Sequence, residues 1–121
     1  VADASEEMLK QCETLLTARG YQVLLAQNGA EALRVIREEH PDLVVLDLLM
    51  PRMTGFDVLR EIRQDERVKD TIVLAISSVY KDNILDFLYQ LGAQGFLDKT
   101  QIQEALAFRV ASLLAPPPGT V

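Results

Sequence analysis

Leu43–Gly55 reads LVVLDLLMPRMTG, and its first half decides the fold. Leu43 to Leu46 is an unbroken run of leucine and valine, the pattern of a strand buried on both faces of a parallel sheet. The run stops at a carboxylate, Asp47, and Pro51 and Gly55 force a loop before helical spacing resumes at Phe56. In an open parallel sheet the ligand crevice lies beyond the carboxyl ends of the strands, so an acid placed there faces a site rather than the core. Asp47 is therefore a candidate reacting group. Standing alone it would be no more than a polar terminator or a helix cap, so its weight depends on how the other strands end.

Upstream of this strand, Met8, Leu9, Cys12, Leu15 and Leu16 recur at helical spacing over 5–18, with Ser5 as N-cap and Gly20 as the stop. Val1 and Ala2 are too few for a sheet element and are expected to end a strand that begins earlier. Tyr21 to Ala26 reads as a strand, Asn28-Gly29 as a turn, and Ala30 to Glu38 as a helix with Ala32, Leu33 and Ile36 inward. Downstream, Phe56, Leu59 and Ile62 mark a third helix, and Thr71 to Ile76 is a buried strand ending at Ser77. Asp82 to Leu91 has helical length, with Ile84, Phe87, Leu88 and Leu91 as its core stripe and Leu85 and Tyr89 as a second stripe. Gly95 to Asp98 is a short strand ending at Lys99, and 101–114 is a last helix with Ile102, Ala105, Leu106, Val110 and Leu113 inward. Regular alternation of strand and helix predicts an α/β fold, a doubly wound five-stranded parallel sheet with helices on both faces.

The 121 residues suit a single domain over 1–114, with 115–121 as a proline-rich tail or linker. Twelve basic and eighteen acidic residues give a net charge of −6, which argues against direct contact with nucleic acid. A single cysteine, Cys12, rules out a disulfide framework and suits a reducing, cytoplasmic setting. With His40 as the only histidine, a zinc site or a Ser-His-Asp triad is poorly supplied. No apolar run approaches the ~20 residues of a membrane span, and no signal-peptide pattern opens the chain.

Four strands end in chemistry on one sheet edge: Asp3, Asp47, Ser77 and Lys99. A carboxylate pair suits a hard cation such as Mg²⁺, while a hydroxyl and an ammonium beside it can take the oxygens of a phosphoryl group. Such a site suits phosphoryl transfer to Asp47, with an acyl phosphate as product.

Over nearly its whole length the chain resembles the receiver domain of two-component response regulators, whose fold is that of the bacterial chemotaxis regulator. LDLLMPRMTG is similar to the phosphoacceptor loop of that family. Ser77 stands thirty residues after Asp47 and Lys99 a further twenty-two, in agreement with the family's spacing. The resemblance implies Asp47 as phosphoacceptor, Ser77 as switch hydroxyl, Lys99 as the phosphate-pairing lysine and Phe96 as the switch aromatic. It also implies Asp3, Asp47 and the backbone carbonyl of Leu49 as Mg²⁺ ligands. The family usually carries an acidic pair after the first strand, and Ala4 stands at the second acid, so weaker Mg²⁺ binding and slower phosphorylation are expected. Thr100 stands where the family usually has a proline, commonly after a cis bond; before threonine such a bond would cost about 2.5–4 kcal/mol, so a trans bond is expected. Apolar Leu49 and Val79, two residues beyond Asp47 and Ser77, imply slow self-dephosphorylation.

The expected partners are a histidine kinase or phosphotransfer protein, with Leu85, Tyr89 and Phe108 as a contact or homodimer surface on the fourth and fifth helices. No enzymatic activity on a further substrate is expected. The alternative function is a degenerate receiver acting as a phosphorylation-independent dimerisation or interaction module, favoured by Ala4 and Thr100 and opposed by Asp47, Ser77 and Lys99. A flavodoxin-like nucleotide binder is disfavoured, because no glycine-rich loop follows the first strand.

Overall fold

The Leu43–Asp47 run forms β1 in the computed structural model, which describes residues 1–78 and 82–115. β1 pairs in parallel with β2 (Ile72–Ser77), in register from Leu43 opposite Ile72 to Asp47 opposite Ile76. β2 pairs in parallel with β3 (Gly95–Asp98), and Ser77 lies opposite Asp98. On the free edge of β1, Ala2 bridges both Leu46 and Ala26. Its N–H donates to the Val45 carbonyl at 2.8 Å, and its carbonyl accepts from Asp47 N–H at 2.9 Å.

The expected five strands are therefore three among the described residues, with Ala2 and Ala26 continuing the parallel order as single bridges. The segment 21–25 forms no strand ladder. The Val1 ammonium donates to the Leu24 carbonyl at 2.8 Å, and an apolar groove of about 280 Å³ is lined by Val23 and Leu24 together with Leu43 and Val44.

Because successive strand residues point to opposite faces, the sheet divides two cores. Val44, Leu46, Val73 and Ala75 pack with Leu33 and Ile36 of α2 (Gly29–Glu39), Val58, Leu59 and Ile62 of α3 (Gly55–Gln64), and Leu88 of α4 (Asp82–Gln90). Val45, Leu74, Ile76 and Leu97 pack with Cys12 and Leu16 of α1 (Glu6–Thr17) and Ile102, Leu106 and Val110 of α5 (Ile102–Leu114). Burial pushes the Cys12 thiol up to about 11, which leaves it protonated and unreactive at neutral pH.

The stripe on α4 is turned relative to expectation. Leu88 is fully buried, and Ile84, Leu85 and Leu91 are half-buried against the core. Phe87, expected in the core, is 40% exposed. Its ring packs on Phe56 of α3 at 5.4 Å between centroids, with the Arg60 guanidinium 5.7 Å from its centre, so the aromatic is satisfied at the α3/α4 seam.

Helix ends follow local chemistry. The Ser5 hydroxyl accepts from Met8 N–H at 3.2 Å, and Asn28 Oδ1 accepts from Glu31 N–H at 2.8 Å. His40 closes α2 at φ +47°, donating its N–H to the Ile36 carbonyl. That left-handed position favours glycine. His40→Gly is expected to raise stability by about 0.5–1 kcal/mol, read as a higher urea midpoint.

Candidate functional site

Among the described residues, the buried polar and charged side chains are Asp3, Asp47 and Ser77, and all three stand at the carboxyl edge of the sheet. Asp47 ends β1 and Ser77 ends β2. Asp3 is placed by the Ala2 bridges and by its own N–H, which donates to the Ala26 carbonyl at 3.0 Å. Lys99 follows β3 at the start of a 3₁₀ turn, Lys99–Gln101. Its Nζ lies 2.7 Å from Asp3 Oδ2 and 3.3 Å from Asp47 Oδ1. The structure thus unites Asp3, Asp47 and Lys99 in one cluster, with Ser77 buried on the adjacent strand. Phe96 on β3 is half-buried against the α2–α4 core. Leu49 donates its N–H to Asp47 Oδ1 at 3.2 Å, while its side chain is 58% exposed. Ala4 is exposed and adds no donor, the Lys99–Thr100 bond is trans, and Val79 lies outside the described residues, as do 116–121 of the proline-rich tail.

Burial pushes the Asp47 carboxyl upward and the Asp3 charge adds to it; the Leu49 N–H and the Lys99 ammonium oppose them, and the net result is a raised pKa. For Lys99, burial works against the ammonium, but its contact with Asp3 and the Asp47 charge prevail and raise its pKa. Asp3 Oδ2 has Lys99 at ion-pair distance yet no donor in hydrogen-bonding geometry, while Oδ1 accepts from Ser5 N–H at 2.8 Å. An under-satisfied buried carboxylate oxygen beside a second carboxylate is a donor set that fits a hard cation such as Mg²⁺. Among the described residues no group of three or more His, Cys, Asp or Glu could hold a metal, so backbone oxygen and water would complete such a shell.

A carboxyl whose pKa is higher folded than unfolded contributes stability below its ordinary value, near 3.8, and loses it as pH rises through the folded value. At neutral pH the ionised Asp47 is thus a cost. Asp47→Asn is expected to raise the melting temperature at pH 7 in chelator, and the gain should vanish below the carboxylate range; a lower melting temperature at pH 7 would contradict the assigned sign.

Gly55 and Gly29, read from the sequence as a loop former and a turn residue, also allow close main-chain approach at the loop after Asp47. A Cβ on Gly55 would collide with the Asp47 carbonyl oxygen and stand 2.8 Å from Leu48 Cα. A Cβ on Gly29 would stand 2.6 Å from the Met53 carbonyl oxygen. The loop is closed by Thr54 and Asp57, each side chain accepting from the other's backbone N–H at 3.2 and 3.0 Å. That reciprocal cap was readable in the Thr54-x-x-Asp57 spacing.

A parallel sheet covered on both faces, with an acid pair, a hydroxyl and a lysine at its carboxyl edge, defines a doubly wound α/β domain whose site lies beyond the strand ends. Residues 1–111 match the response regulator receiver domain, and the chain belongs to that family, the receiver domains of two-component response regulators. It is 32% identical over 117 residues to Protein PilH of Pseudomonas aeruginosa, covering 95% of this chain and 94% of that protein. It is 37% identical over 114 residues to the probable transcriptional regulator ycf27 of Porphyridium aerugineum, covering 94% of this chain but 46% of that protein. The chain therefore spans about half the length of such curated relatives. Among solved structures it is similar to chemotaxis protein CheY4 of Vibrio cholerae, with a TM-score of 0.87, 27% identity and 93% of each chain covered. The receiver domain of the putative response regulator NarL from Mycobacterium tuberculosis gives 0.85 at 30% identity, over 93% of this chain and 91% of that one.

Proposed function

We propose that this receiver domain accepts a phosphoryl group on Asp47 and passes the change to a partner through α4 and α5. The observation that carries this reading is the Asp3–Lys99–Asp47 cluster, two buried carboxylates on separate segments bridged by one ammonium. A carboxylate oxygen of Asp47 attacks phosphorus, an O–P bond forms, and the bond from phosphorus to the donor's leaving atom breaks, its electron pair leaving with the donor. Lys99 pairs with the transferred oxygens, and the Ser77 hydroxyl donates to one of them once the group is in place. Asp3 and Asp47, with the Leu49 carbonyl, would hold Mg²⁺, which when bound offsets negative charge on donor and acceptor. Ala4 leaves that shell short of one carboxylate, so binding is weak and the reaction slow.

The donor is a histidine kinase or phosphotransfer protein, in a cytoplasmic setting; among the described residues no helix is long and apolar enough to cross a membrane. Tyr89 at 51% and Phe108 at 72% exposure supply the apolar contact on α4 and α5 for a partner or a second copy. Leu85 is half-buried against the core and is not counted with them.

The deciding experiment is intact mass after incubation with acetyl phosphate, with and without Mg²⁺, on the wild type and Asp47→Asn. A single phosphoryl adduct requiring both Mg²⁺ and Asp47 is expected. No adduct on folded wild type would shift the reading to a phosphorylation-independent interaction module.

A further inference from the structure

Lys99 reaches two carboxylates on different segments, so the backbone from which it reaches must be held. The residues flanking it do this without entering the pocket. Asp98 Oδ1 accepts the Thr100 N–H at 2.9 Å and the Thr100 hydroxyl at 2.8 Å. Beyond them, the Ile102 N–H donates to the Lys99 carbonyl and closes the turn. Lys99 is thereby fastened on both sides, directly after the strand that pairs Asp98 with Ser77.

Thr100 is exposed and Asp98 half-exposed. A helix or turn cap needs only one such bond. Here the same oxygen takes two, both from the residue that follows the lysine. The Thr100 N–H and hydroxyl also hold the Asp98 carboxyl below its ordinary range, as charge-assisted bonds to a carboxylate do.

We propose that Asp98 and Thr100 are positioning residues for Lys99: their paired hydrogen bonds fix the turn so that the ammonium is delivered between Asp3 and Asp47. A lysine is a point charge on a flexible four-carbon stem, so its aim depends on where its main chain is held. The effect on phosphoryl transfer rests on the phosphoacceptor reading above; the effect on Lys99 itself does not.

Thr100→Val removes only the hydroxyl bond, Asp98→Ala removes both, and Thr100→Ser keeps both. Each variant is read in two ways: by the ¹⁵Nζ resonance and proton exchange of the Lys99 ammonium in Mg²⁺-free buffer, and by the initial rate of adduct formation with acetyl phosphate and Mg²⁺. Asp98→Ala is expected to lose the protected ammonium signal and to slow about tenfold, and Thr100→Val about threefold, as misplacement of a charge-stabilising group does. Thr100→Ser should match the wild type in both.

A cap with a purely structural role would lower the melting temperature while leaving the Lys99 signal and the rate of folded variants unchanged. That result overturns the proposal, and the exposed Thr100→Val substitution keeps it decidable if Asp98→Ala does not fold. Absence of any adduct on the wild type would remove the phosphoacceptor reading, while the Lys99 signal in the same variants would still decide the positioning role.

Discussion

Gly55→Ala is expected to destabilise the domain by about 3 kcal/mol and to slow the proposed phosphoryl transfer to Asp47. The sign is what makes this substitution informative. Gly55 opens α3 with ordinary negative φ, where alanine normally adds stability through higher helix propensity and lower unfolded-chain entropy. Here the added carbon meets the main chain of Asp47 and Leu48, and no flexible side chain is present to give way. The Gly55 N–H also donates to the Leu48 carbonyl at 3.1 Å, so the helix start and the end of β1 are joined at this point. Moving α3 away breaks that bond, and moving the loop displaces Asp47 from Lys99. Urea unfolding reads the first effect and adduct formation the second. A stabilised Gly55→Ala variant would mean that the close approach is not a real constraint.

Arg63→Ala carries the other large effect, an expected loss of about 3 kcal/mol, seen as a melting temperature lower by about 10 °C. One guanidinium at the end of α3 donates to the Gly92 carbonyl at 2.7 and 3.2 Å, to the Lys69 and Thr71 carbonyls at 2.8 Å each, and to Gln94 Oε1 at 3.1 Å. Gln94 Oε1 in turn accepts from the Val73 N–H at 2.8 Å. The side chain therefore ties the loops before β2 and before β3 to one helix, at the edge of the sheet opposite the acid pocket. Arg63→Lys should recover less than half of the loss, because an ammonium cannot reproduce the planar fork that serves several carbonyls at once. If the lysine variant matched the wild type, the multiple carbonyl bonds would not be the source of the stability.

What was legible in the sequence is what depends on neighbours in the chain. The continuous apolar runs at Leu43 and Ile72 specify buried parallel strands, and the Ser5 cap starts a helix where local hydrogen bonding favours it, while Asn28, read as a turn residue, caps the second helix. The strand-end placement of Asp47, Ser77 and Lys99 follows from that alternation, which is why most of the pocket is legible in the order of the residues. Arg63 could not be read this way, since its partners lie six to thirty-one residues away and are mostly main-chain carbonyls that any sequence would supply. Phe87 was assigned to the core because periodicity records that a helix has an apolar face but not how wide that face is. Its half-exposed ring is stabilised by Phe56 and Arg60, a pairing set by how α3 and α4 pack. Tyr21–Leu25 has strand composition without a strand, because ladder bonds need a neighbour as well as propensity.

The chain carries a net charge of −6, and before any cation binds the two carboxylates and one ammonium of the pocket add to that excess of negative charge. Small anionic phosphodonors therefore approach against like charge, and raising the ionic strength screens that repulsion and speeds their encounter. A protein donor that docks through a basic face experiences the reverse, because the same ions weaken its attraction. The salt dependence of the rate thus has opposite signs for the two kinds of donor, and it distinguishes direct chemical modification from recognition by a partner.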